Sequence, residues 1–410
     1  MMLKIKIGEV CDVYDGPHAT PKKIDKGPVY LGIDAITDNG KLNLSGYNYL
    51  SEEDYKIWTK RVTPQYGDLV FSYEATLGRY ALIPKDFYGC LGRRLAVVRP
   101  KDERINIKWL YYYFLSPEWS VYIANNTVKG STVNRISIED FPNFYIPLLE
   151  RTEQDKIVKV LSAIDEKIDN NVNINDNLEQ QAKLLYDYWF TQFDFPNADD
   201  EPYQSSGGKM VWNEILKRNI PFGWQVVPFL EIASWESNSQ PPKSEFIYEP
   251  KAGYIRFIQN RDYDSDTHKT YIPLTKYLSV VDRYDILMDK YGDAGAVRYG
   301  IEGAFNVALG KISVHNSYHR EYVRSFLESD GIYNYLHNSC MASTRASLNE
   351  SNLAMLNIVI PNEHIVLEYE KLLRKIRDRI LQDNDETARL IELRDWLLPM
   401  LMNGQATIDD

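Results

Sequence analysis

This sequence of 410 residues contains no long apolar run and only three cysteines, Cys11, Cys90 and Cys340, which lie far apart. A membrane-spanning helix needs about 20 consecutive apolar residues, so the first absence argues against a membrane protein. The N-terminal stretch also lacks the apolar core of a secretory signal. Sparse cysteines fit reduced thiols and offer neither a disulfide framework nor zinc-site spacing. We therefore expect a cytoplasmic protein.

Motifs for catalysis are also missing. An amino-methyltransferase needs an Asn/Asp-Pro-Pro-aromatic loop that holds a flipped base, and the sequence has no such tetrapeptide. The nearest approach to a phosphate-binding loop, GAFNVALGKI at 303–312, has the wrong spacing and an Ile after the Lys. His315 and His319 have the spacing of some zinc ligands but no accompanying Glu. We therefore predict a non-catalytic protein with no cofactor and no metal.

The net charge of −11 is unevenly distributed along the chain. All of it falls in two segments, 151–205 and 363–410, whereas 1–150 and 206–362 are close to neutral. A near-neutral segment can still carry a local basic face. The overall acidity therefore does not exclude binding to nucleic acid.

Both acidic segments carry a heptad seam, in which side chains recur in alternating steps of three and four residues. The first seam consists of Ile157, Leu161, Ile164, Ile168, Asn171, Asn175, Leu178, Ala182, Leu185 and Trp189. The second consists of Tyr369, Leu373, Ile376, Ile380, Asp383, Thr387, Leu390, Arg394, Leu397 and Leu401. Both are polar in the middle, so we predict two long helices that pair antiparallel as a coiled coil with their polar centres in contact. The alternative is two amphipathic helices that pack separately.

The rest of the chain is also duplicated. Asp68 is followed by a strand-like apolar run and by Gly78, and the same pattern runs from Asp285 to Gly295. Runs rich in Val, Ile and Tyr, broken by Gly, Pro, Asn and Asp, indicate short strands and turns. The sequence therefore predicts an α+β protein, with two similar globular α/β units joined by the two long helices in a pseudo-twofold arrangement.

The predicted boundaries follow from these patterns. They are a first globular domain at 1–150, a central long helix at 151–195, a linker and second globular domain at 196–362, and a C-terminal long helix at 363–410. The linker region is acidic and rich in Pro, Ser and Gly. A helix pair of about 50 Å would suit a protein that reads two short DNA segments on either side of an unread gap.

Several stretches carry a resemblance to a known family. They are YIPLLERTEQDKIVKVLSAIDEKI at 145–168, LYDYWFTQFDFPN at 185–197, and SSGGKMVWNEILKRNIPFGWQVVPFLEI at 205–232. With the duplication, they resemble the specificity subunits of type I restriction–modification systems over nearly the whole chain. DGPHATPKK at 15–23 also resembles the start of one class of target recognition domain. The second junction, VIPNEHIVLEYEKL at 359–372, departs from the pattern because it lacks the Glu-Gln of RTEQDKI.

The resemblance implies a non-catalytic subunit that recognises double-stranded DNA. Each globular unit would be a target recognition domain that reads one half of a bipartite site. The helices would set the gap and dock modification (methyltransferase) subunits, expected to number two, and restriction (motor and nuclease) subunits would join through the complex. Two alternatives stay open, a coiled-coil scaffold without DNA specificity and an enzyme with an unrecognised site. Sharply salt-dependent duplex binding would favour recognition over scaffolding, and methyl transfer by this chain alone would establish the enzyme.

Residues for DNA contact are predicted from loop chemistry. Lys, Arg, Ser and Thr bind phosphates, while Arg reads guanine and Asn or Gln reads adenine. Candidates in the first unit are His18, Thr20, Lys22, Lys23, Arg79, Tyr80, Lys129, Ser131, Thr132, Asn134 and Arg135. Candidates in the second unit are Asn238, Gln240, Lys243, Arg256, Gln259, Asn260, Arg261, Tyr291, Arg298, Ser343, Thr344 and Arg345. We prefer the stretch QNRD at 259–262 for base reading, because it places amide and guanidinium groups side by side. The alternative for each loop is a solvated surface loop.

Arg93 and Arg94 are predicted to lie on a strand. Successive side chains of a strand point to opposite faces, so at most one of the two would face a ligand there.

Overall fold

The structure is a computed structural model, and the residues that it describes are 3–37, 39–43, 47–130, 133–341 and 347–408. The chain divides into two compact units. Unit 1 comprises residues 1–170 and 386–410, and unit 2 comprises residues 171–385. Among the described residues, no helix is both long enough and apolar enough to cross a membrane.

The globular part of unit 1 consists of short strands and helices. In chain order its elements are β1 (Lys4–Lys6), α1 (Ile7–Val10), β2 (Cys11–Asp15), β3 (Ile24–Leu31), β4 (Asn48–Tyr49), α2 (Glu52–Trp58), β5 (Leu69–Ser72), β6 (Tyr80–Leu82), β7 (Gly89–Leu91), β8 (Leu95–Pro100), α3 (Ile107–Leu115), α4 (Pro117–Asn126) and β9 (Tyr145–Pro147). The first long helix, α5 (Arg151–Tyr186), follows and continues as a π-helical turn at Asp187–Thr191.

The strands of unit 1 form two main sheets in the part of the chain that is described. One has the order β2-β8-β5-β6, and its neighbours are antiparallel. The other has the order β4-β3-β7, in which β3 and β7 run parallel. All four residues of β5 are buried, because this apolar strand lies between β8 and β6. β1 pairs with β9, which leads the chain into α5.

Unit 2 contains the part of α5 from residue 171 onward and the remaining elements. In chain order they are β10 (Met210–Asn213), β11 (Arg218–Pro221), β12 (Gln225–Pro228), β13 (Ala233–Ser237), β14 (Tyr254–Ile258), β15 (Tyr271–Pro273), β16 (Val280–Val281), β17 (Ile286–Asp289), β18 (Val297–Arg298), β19 (Gly303–Phe305), β20 (Leu309–Val314), α6 (Arg320–Glu328), α7 (Asp330–Met341), α8 (Glu350–Leu353), β21 (Asn357–Ile360) and the second long helix α9 (Glu363–Met402). The last turns of α9 belong to unit 1.

The two units share one topology, which confirms the predicted duplication. The sheet β13-β20-β17-β18 corresponds strand for strand to β2-β8-β5-β6. The second sheet, β15-β14-β19-β16, again contains a single parallel pair, β14 with β19, among the strands described. β12 pairs with β21 as β1 pairs with β9. The helices α6 and α7 follow β20 as α3 and α4 follow β8.

The repeated aspartates have a structural role in both units. Asp68 Oδ2 accepts a hydrogen bond from Gln65 N at 2.8 Å, and Asp285 Oδ2 accepts one from Asp282 N at 2.9 Å. Each side chain therefore closes the turn that precedes a buried central strand, a common use of Asp in turns. This explains why the sequence pattern begins with Asp in both halves.

The two long helices run antiparallel within each unit, as predicted. In unit 1, Lys167 pairs with Glu386 at 3.0 Å and Asp165 pairs with Arg394 at 3.1 Å. In unit 2, the fully buried Asn171 lies with its Nδ2 3.5 Å from the Asp383 carbonyl oxygen. Both residues belong to the polar middle of their seams.

The neighbouring contact in unit 2 extends this polar centre, because Asn175 Nδ2 donates to Asn384 Oδ1 at 2.9 Å. The prediction that the polar centres meet is confirmed, and the alternative of two separately packed helices is wrong.

The globular parts are anchored on the helices through shared hydrophobic cores. In unit 1, Leu161 of α5 and Leu401 of α9 belong to the same core as Trp109 of α3. In unit 2, Trp189 and Tyr369 share a core in the same way.

The stretch after α5 is packed rather than extended like a flexible linker. Phe195 is buried and stacks on Trp224, with ring centroids 4.8 Å apart, and on Tyr203 at 4.7 Å. Asp194 accepts hydrogen bonds from the amide and the hydroxyl of Ser205, both at 2.7 Å. The Pro, Ser and Gly content predicts loops correctly, but the aromatic residues between them bind these loops to the core of unit 2.

Candidate nucleic-acid interface

In unit 1, loops from distant parts of the chain lie side by side at one edge of the main sheet. Tyr73 N donates to Arg94 O at 3.1 Å, and Ile136 N donates to Tyr73 O at 2.7 Å. Ala75 N donates to Asn134 O at 3.3 Å. The segments 73–79, 93–94 and 133–136 are therefore joined through their backbones, and together with 15–23 and 128–130 we call them the first loop cluster.

The segment 15–23 lies against the turn at 93–94, because Gly16 N donates to Leu95 O at 2.8 Å. Arg61 Nη1 lies 2.8 Å from both carboxylate oxygens of Asp15, and His18 Nε2 lies 3.0 Å from Oδ2. Burial raises the pKa of the neighbouring Tyr73 to about 12, with Asp15 adding to the rise and Arg61 opposing it. The carboxylate of Asp15 thus contacts both a guanidinium group and an imidazole ring at the edge of the sheet. Such a surface can bind phosphate through Arg61 while Asp15 fixes its orientation.

Most predicted contact residues of unit 1 lie on the surface of the first loop cluster. The exposed residues among them are His18, Thr20, Lys22, Lys23, Lys129, Asn134 and Arg135. Arg79 is partly buried, and its Nη1 lies 3.4 Å from the Ile33 carbonyl oxygen. Ser131 and Thr132 lie outside the described residues.

Tyr80 differs from the prediction because it belongs to the core. Its side chain is 3% exposed, and its hydroxyl oxygen accepts a hydrogen bond from Trp119 Nε1 at 2.9 Å. As the first residue of β6, it points into the aromatic core with Phe114 and Phe71. Tyr80 is therefore a core residue, and its buried side chain is not available at the surface for a DNA contact.

Three arginines of this region differ from what the sequence predicts. Arg93 and Arg94 precede β8 in a turn rather than on a strand, and Arg94 has a φ of 72°. Arg93 is exposed, and Arg94 Nε lies 3.0 Å from Glu74 Oε1. Arg61 was not predicted at all, because its contact with Asp15 spans 46 residues of sequence. In the sequence, the Gly before Arg93 is the one signal for the turn that contains Arg93 and Arg94.

In unit 2, the carboxylate of Asp289 joins two predicted contact residues. Its Oδ1 accepts a hydrogen bond from Asn260 Nδ2 at 2.8 Å. Its Oδ2 accepts two from Arg298, from Nε at 3.1 Å and from Nη2 at 2.8 Å. Burial raises the pKa of Asp289, and the hydrogen bonds from Arg298 oppose this rise. We call the segments 256–266 and 289–298 the second loop cluster.

The preferred stretch at 259–262 is not a uniform row of free polar groups. Gln259 Nε2 donates to Thr270 Oγ1 at 3.0 Å, and Asn260 bonds to Asp289. Arg261 is the side chain of this stretch that projects most into solvent, with 58% of its side chain exposed. The stretch begins a turn of 3-10 helix, so consecutive side chains point in different directions.

The other predicted residues of unit 2 differ in accessibility. Arg256 is partly buried and forms an ion pair with Asp266. Asn238 uses its amide to join two loops, because its Nδ2 donates to Ser279 O at 2.9 Å and its Oδ1 accepts from Ser279 N at 3.2 Å. Gln240, Lys243 and Tyr291 are exposed. Ser343, Thr344 and Arg345 lie outside the described residues.

Comparison with known proteins decides the family. The model of the type I restriction modification DNA specificity domain matches residues 2–180 and 221–381, one match in each half. The chain belongs to this family. It is therefore a type I restriction–modification specificity subunit, a DNA-recognition component and not the catalytic one.

Relatives of this specificity subunit are distant but cover most of its length. It is 25% identical over 378 residues to the type I restriction enzyme MjaIX specificity subunit of Methanocaldococcus jannaschii, covering 89% of this chain and 83% of the relative. It is 22% identical over 407 residues to the HindI specificity subunit of Haemophilus influenzae, covering 83% and 86% of the two chains. The crystal structure of the S subunit from M. genitalium has the same fold, with a TM-score of 0.58, 16% identity and coverage of 98% and 96%.

The chemistry of the two clusters agrees with recognition. The described residues contain no group of three or more His, Cys, Asp or Glu side chains that could hold a metal ion. The first cluster presents exposed Lys, Asn and Arg side chains beside the partly buried carboxylate of Asp15, and the second presents the exposed Arg261 beside the buried carboxylates of Asp262 and Asp289. Guanidinium and amide groups on loops are the groups that bind phosphates and read base edges.

Proposed function

We propose that each unit of this specificity subunit reads one half of a bipartite target in double-stranded DNA. The observation that carries the proposal is the duplication, strand for strand, of a scaffold that presents different polar side chains at the same edge. The target recognition domains would be 1–150 and the folded part of 196–362. Their predicted contact residues would be the accessible members of the two loop clusters together with Gln240 and Lys243.

The long helices would set the length of the unread gap. Helix α5 has 36 residues and α9 has 40, which at about 1.5 Å per residue gives roughly 55–60 Å of helix each. The antiparallel contacts in both units support this role, because a paired seam with a polar centre has only one favourable register.

The helices would also dock modification subunits. Leu184 on α5 and Trp396 on α9 are 67% and 59% exposed, and they occupy equivalent positions in the two repeats. Exposed large apolar side chains at such equivalent positions favour two similar docking surfaces, which fits two modification subunits. Restriction subunits would join through this complex, and an assembly that acts on cellular DNA would be cytoplasmic.

The gap can be tested by lengthening both helices. Inserting seven residues into each helix at equivalent points keeps the seam in phase, since seven residues are one heptad. The two reading surfaces should move apart by roughly 10 Å, or about three base pairs. The measurement is the gap in the methylated bipartite sequence after reconstitution with the modification subunits.

The matched control inserts seven residues into one helix alone, which should leave one heptad unpaired and destabilise the protein. An unchanged gap in a folded, active double-insertion complex would show that something other than the helices sets the spacing.

A further inference from the structure

Asp289 occupies the point in unit 2 where the two segments of the second loop cluster meet. It is the last residue of β17, and it is 2% exposed. Its backbone N donates to Ala296 O at 2.9 Å, and its backbone O accepts from Gly295 N at 2.9 Å. Asp289 is therefore fixed to the loop that carries the exposed Tyr291, while its side chain reaches Arg298 at the far end of the same segment and Asn260 in the other segment.

The hydrogen bonds to Asp289 use only some of the polar atoms of Arg298 and Asn260. It engages Nε and Nη2 of Arg298, so Nη1 is not used by this ion pair. It engages one Nδ2 hydrogen of Asn260, so the carbonyl Oδ1 and the second hydrogen are not used either. Arginine and asparagine are the side chains that pair with guanine and adenine edges. Because the carboxylate bonds to Nε and Nη2 of Arg298 and to Nδ2 of Asn260, it holds the remaining polar atoms of both side chains in a fixed orientation.

The equivalent position of unit 1 is used differently. Ser72, the last residue of β5, donates its hydroxyl to Thr76 O and accepts from Arg79 N at 3.3 Å. It therefore stabilises its own loop, and within the part of the chain that the structure describes its hydroxyl bonds to no side chain of another segment. The scaffold does not require a carboxylate at this position, so the choice of Asp in unit 2 calls for another explanation.

We propose that Asp289 is a positioning residue for base reading by unit 2. It touches no DNA, and it determines specificity by holding Arg298 and Asn260. Without the carboxylate, the guanidinium group keeps the longer contact of Nη2 with Asp293 at 3.8 Å and the Tyr263 ring, whose centroid lies 5.7 Å from Cζ. These contacts fix its orientation less firmly, so it can adopt other rotamers and loses its fixed aim. The inference rests on the proposed function, because it assumes that the second loop cluster faces DNA.

The test is Asp289→Asn in the full chain, assembled with its modification subunits and titrated with the matched bipartite duplex and with duplexes carrying single base changes in either half-site. A good bidentate side chain–base pair discriminates by about 5- to 150-fold. We expect Asp289→Asn to lower discrimination at least about 5-fold at one or two positions of one half-site and to leave the other half-site unchanged. The matched control is Asp282→Asn, which also removes one negative charge from unit 2. Asp282 lies in a surface turn 3.8 Å from Arg320, and this control should keep the discrimination of the parent protein.

Three further variants separate the possible failures. If Arg298→Ala or Asn260→Ala relaxes one half-site while Asp289→Asn does not, the positioning role is wrong and the proposed function stands. If Arg298→Ala, Asn260→Ala and Asp289→Asn all leave DNA binding unchanged, the second loop cluster is not the reading surface. The positioning role and the proposed function are then both wrong. If Asp289→Asn acts through Arg298, the double variant Asp289→Asn/Arg298→Ala should discriminate no worse than Arg298→Ala at the position that Arg298 reads. Equal loss at both half-sites with a lowered Tm would show a merely structural role and overturn the inference.

Discussion

Replacing Arg377 should destabilise unit 2 far more than an ordinary surface change on a helix. Arg377 lies on α9 and is fully buried. Its guanidinium group lies 2.5 Å from Glu179 of α5, and 3.2 Å and 2.9 Å from Glu321 and Glu328 of α6. It also donates to the Tyr299 hydroxyl at 3.0 Å. This one side chain therefore joins both long helices to the globular part of unit 2.

The expected loss of stability follows from the carboxylates that Arg377→Ala leaves without their cationic partner. Arg377→Ala removes the positive charge but keeps the carboxylates, and breaking a buried ion pair in this way costs about 3–5 kcal/mol. A surface pair is worth about 0–1 kcal/mol. The matched control is Arg394→Ala, because Arg394 bridges α9 to Asp165 of α5 at 3.1 Å in unit 1 while both side chains stay partly exposed. We expect the control to lose about 1 kcal/mol.

Hydrogen exchange read by mass spectrometry suits this comparison, because two units need not unfold as one. Peptides from 171–385 should lose protection in Arg377→Ala, while peptides from the globular part of unit 1 keep theirs. A loss below about 1 kcal/mol, or an equal loss from Arg394→Ala, would refute the argument that this buried network holds unit 2 on the helices. Arg377→Met with Glu179→Gln adds a check, since removing opposite charges together should restore part of the stability.

Two other predictions concern DNA contact and pH. Arg261→Ala should cost about 1–3 kcal/mol of DNA-binding free energy and relax the choice of base at one position, whereas Lys129→Ala should weaken binding to all sequences evenly and flatten its salt dependence. Titrations on matched and mismatched duplexes at several salt concentrations distinguish these outcomes. Unchanged binding and discrimination in both variants would show that the interface lies elsewhere. Burial raises the pKa of Glu370 from its usual 4.5 to about 7, so the stability that it contributes is complete below pH 4.5 and is lost as the pH rises through about 7. Glu370→Gln keeps an acceptor for the Glu321 amide and should flatten the pH dependence of exchange in unit 2 between pH 5 and 8; a slope that stays the same would contradict the assignment.

The helices and the duplication could be predicted because their signals are local and repeated. A heptad seam shows itself within one segment of sequence, and the Asp-to-Gly pattern recurs because each Asp closes the turn before a central strand. The buried network around Arg377 could not be predicted in the same way. Arg377 lies one position outside the predicted seam, and the carboxylates that neutralise it come from α5 and α6.

The candidate interface was predictable in part for a similar reason. Loop residues such as Lys129 and Arg261 are polar, follow turn signals and lie at the surface. The place of Tyr80 after Gly78 predicts a loop, but the strand β6 begins at this residue and turns its side chain into the core. Arg61 reaches Asp15 only through tertiary packing, which no local pattern records.

The most direct measurement of the central claim exchanges one unit. Residues 1–150 would be replaced by the matching unit of a relative with a different target, and the chimaera would be assembled with its modification subunits and used to methylate genomic DNA. If each unit reads its own half-site, mapping the methylated sequences should show one half of the bipartite target changed, and the other half and the gap unchanged. A target altered in both halves, or in neither, would contradict independent reading by the two units.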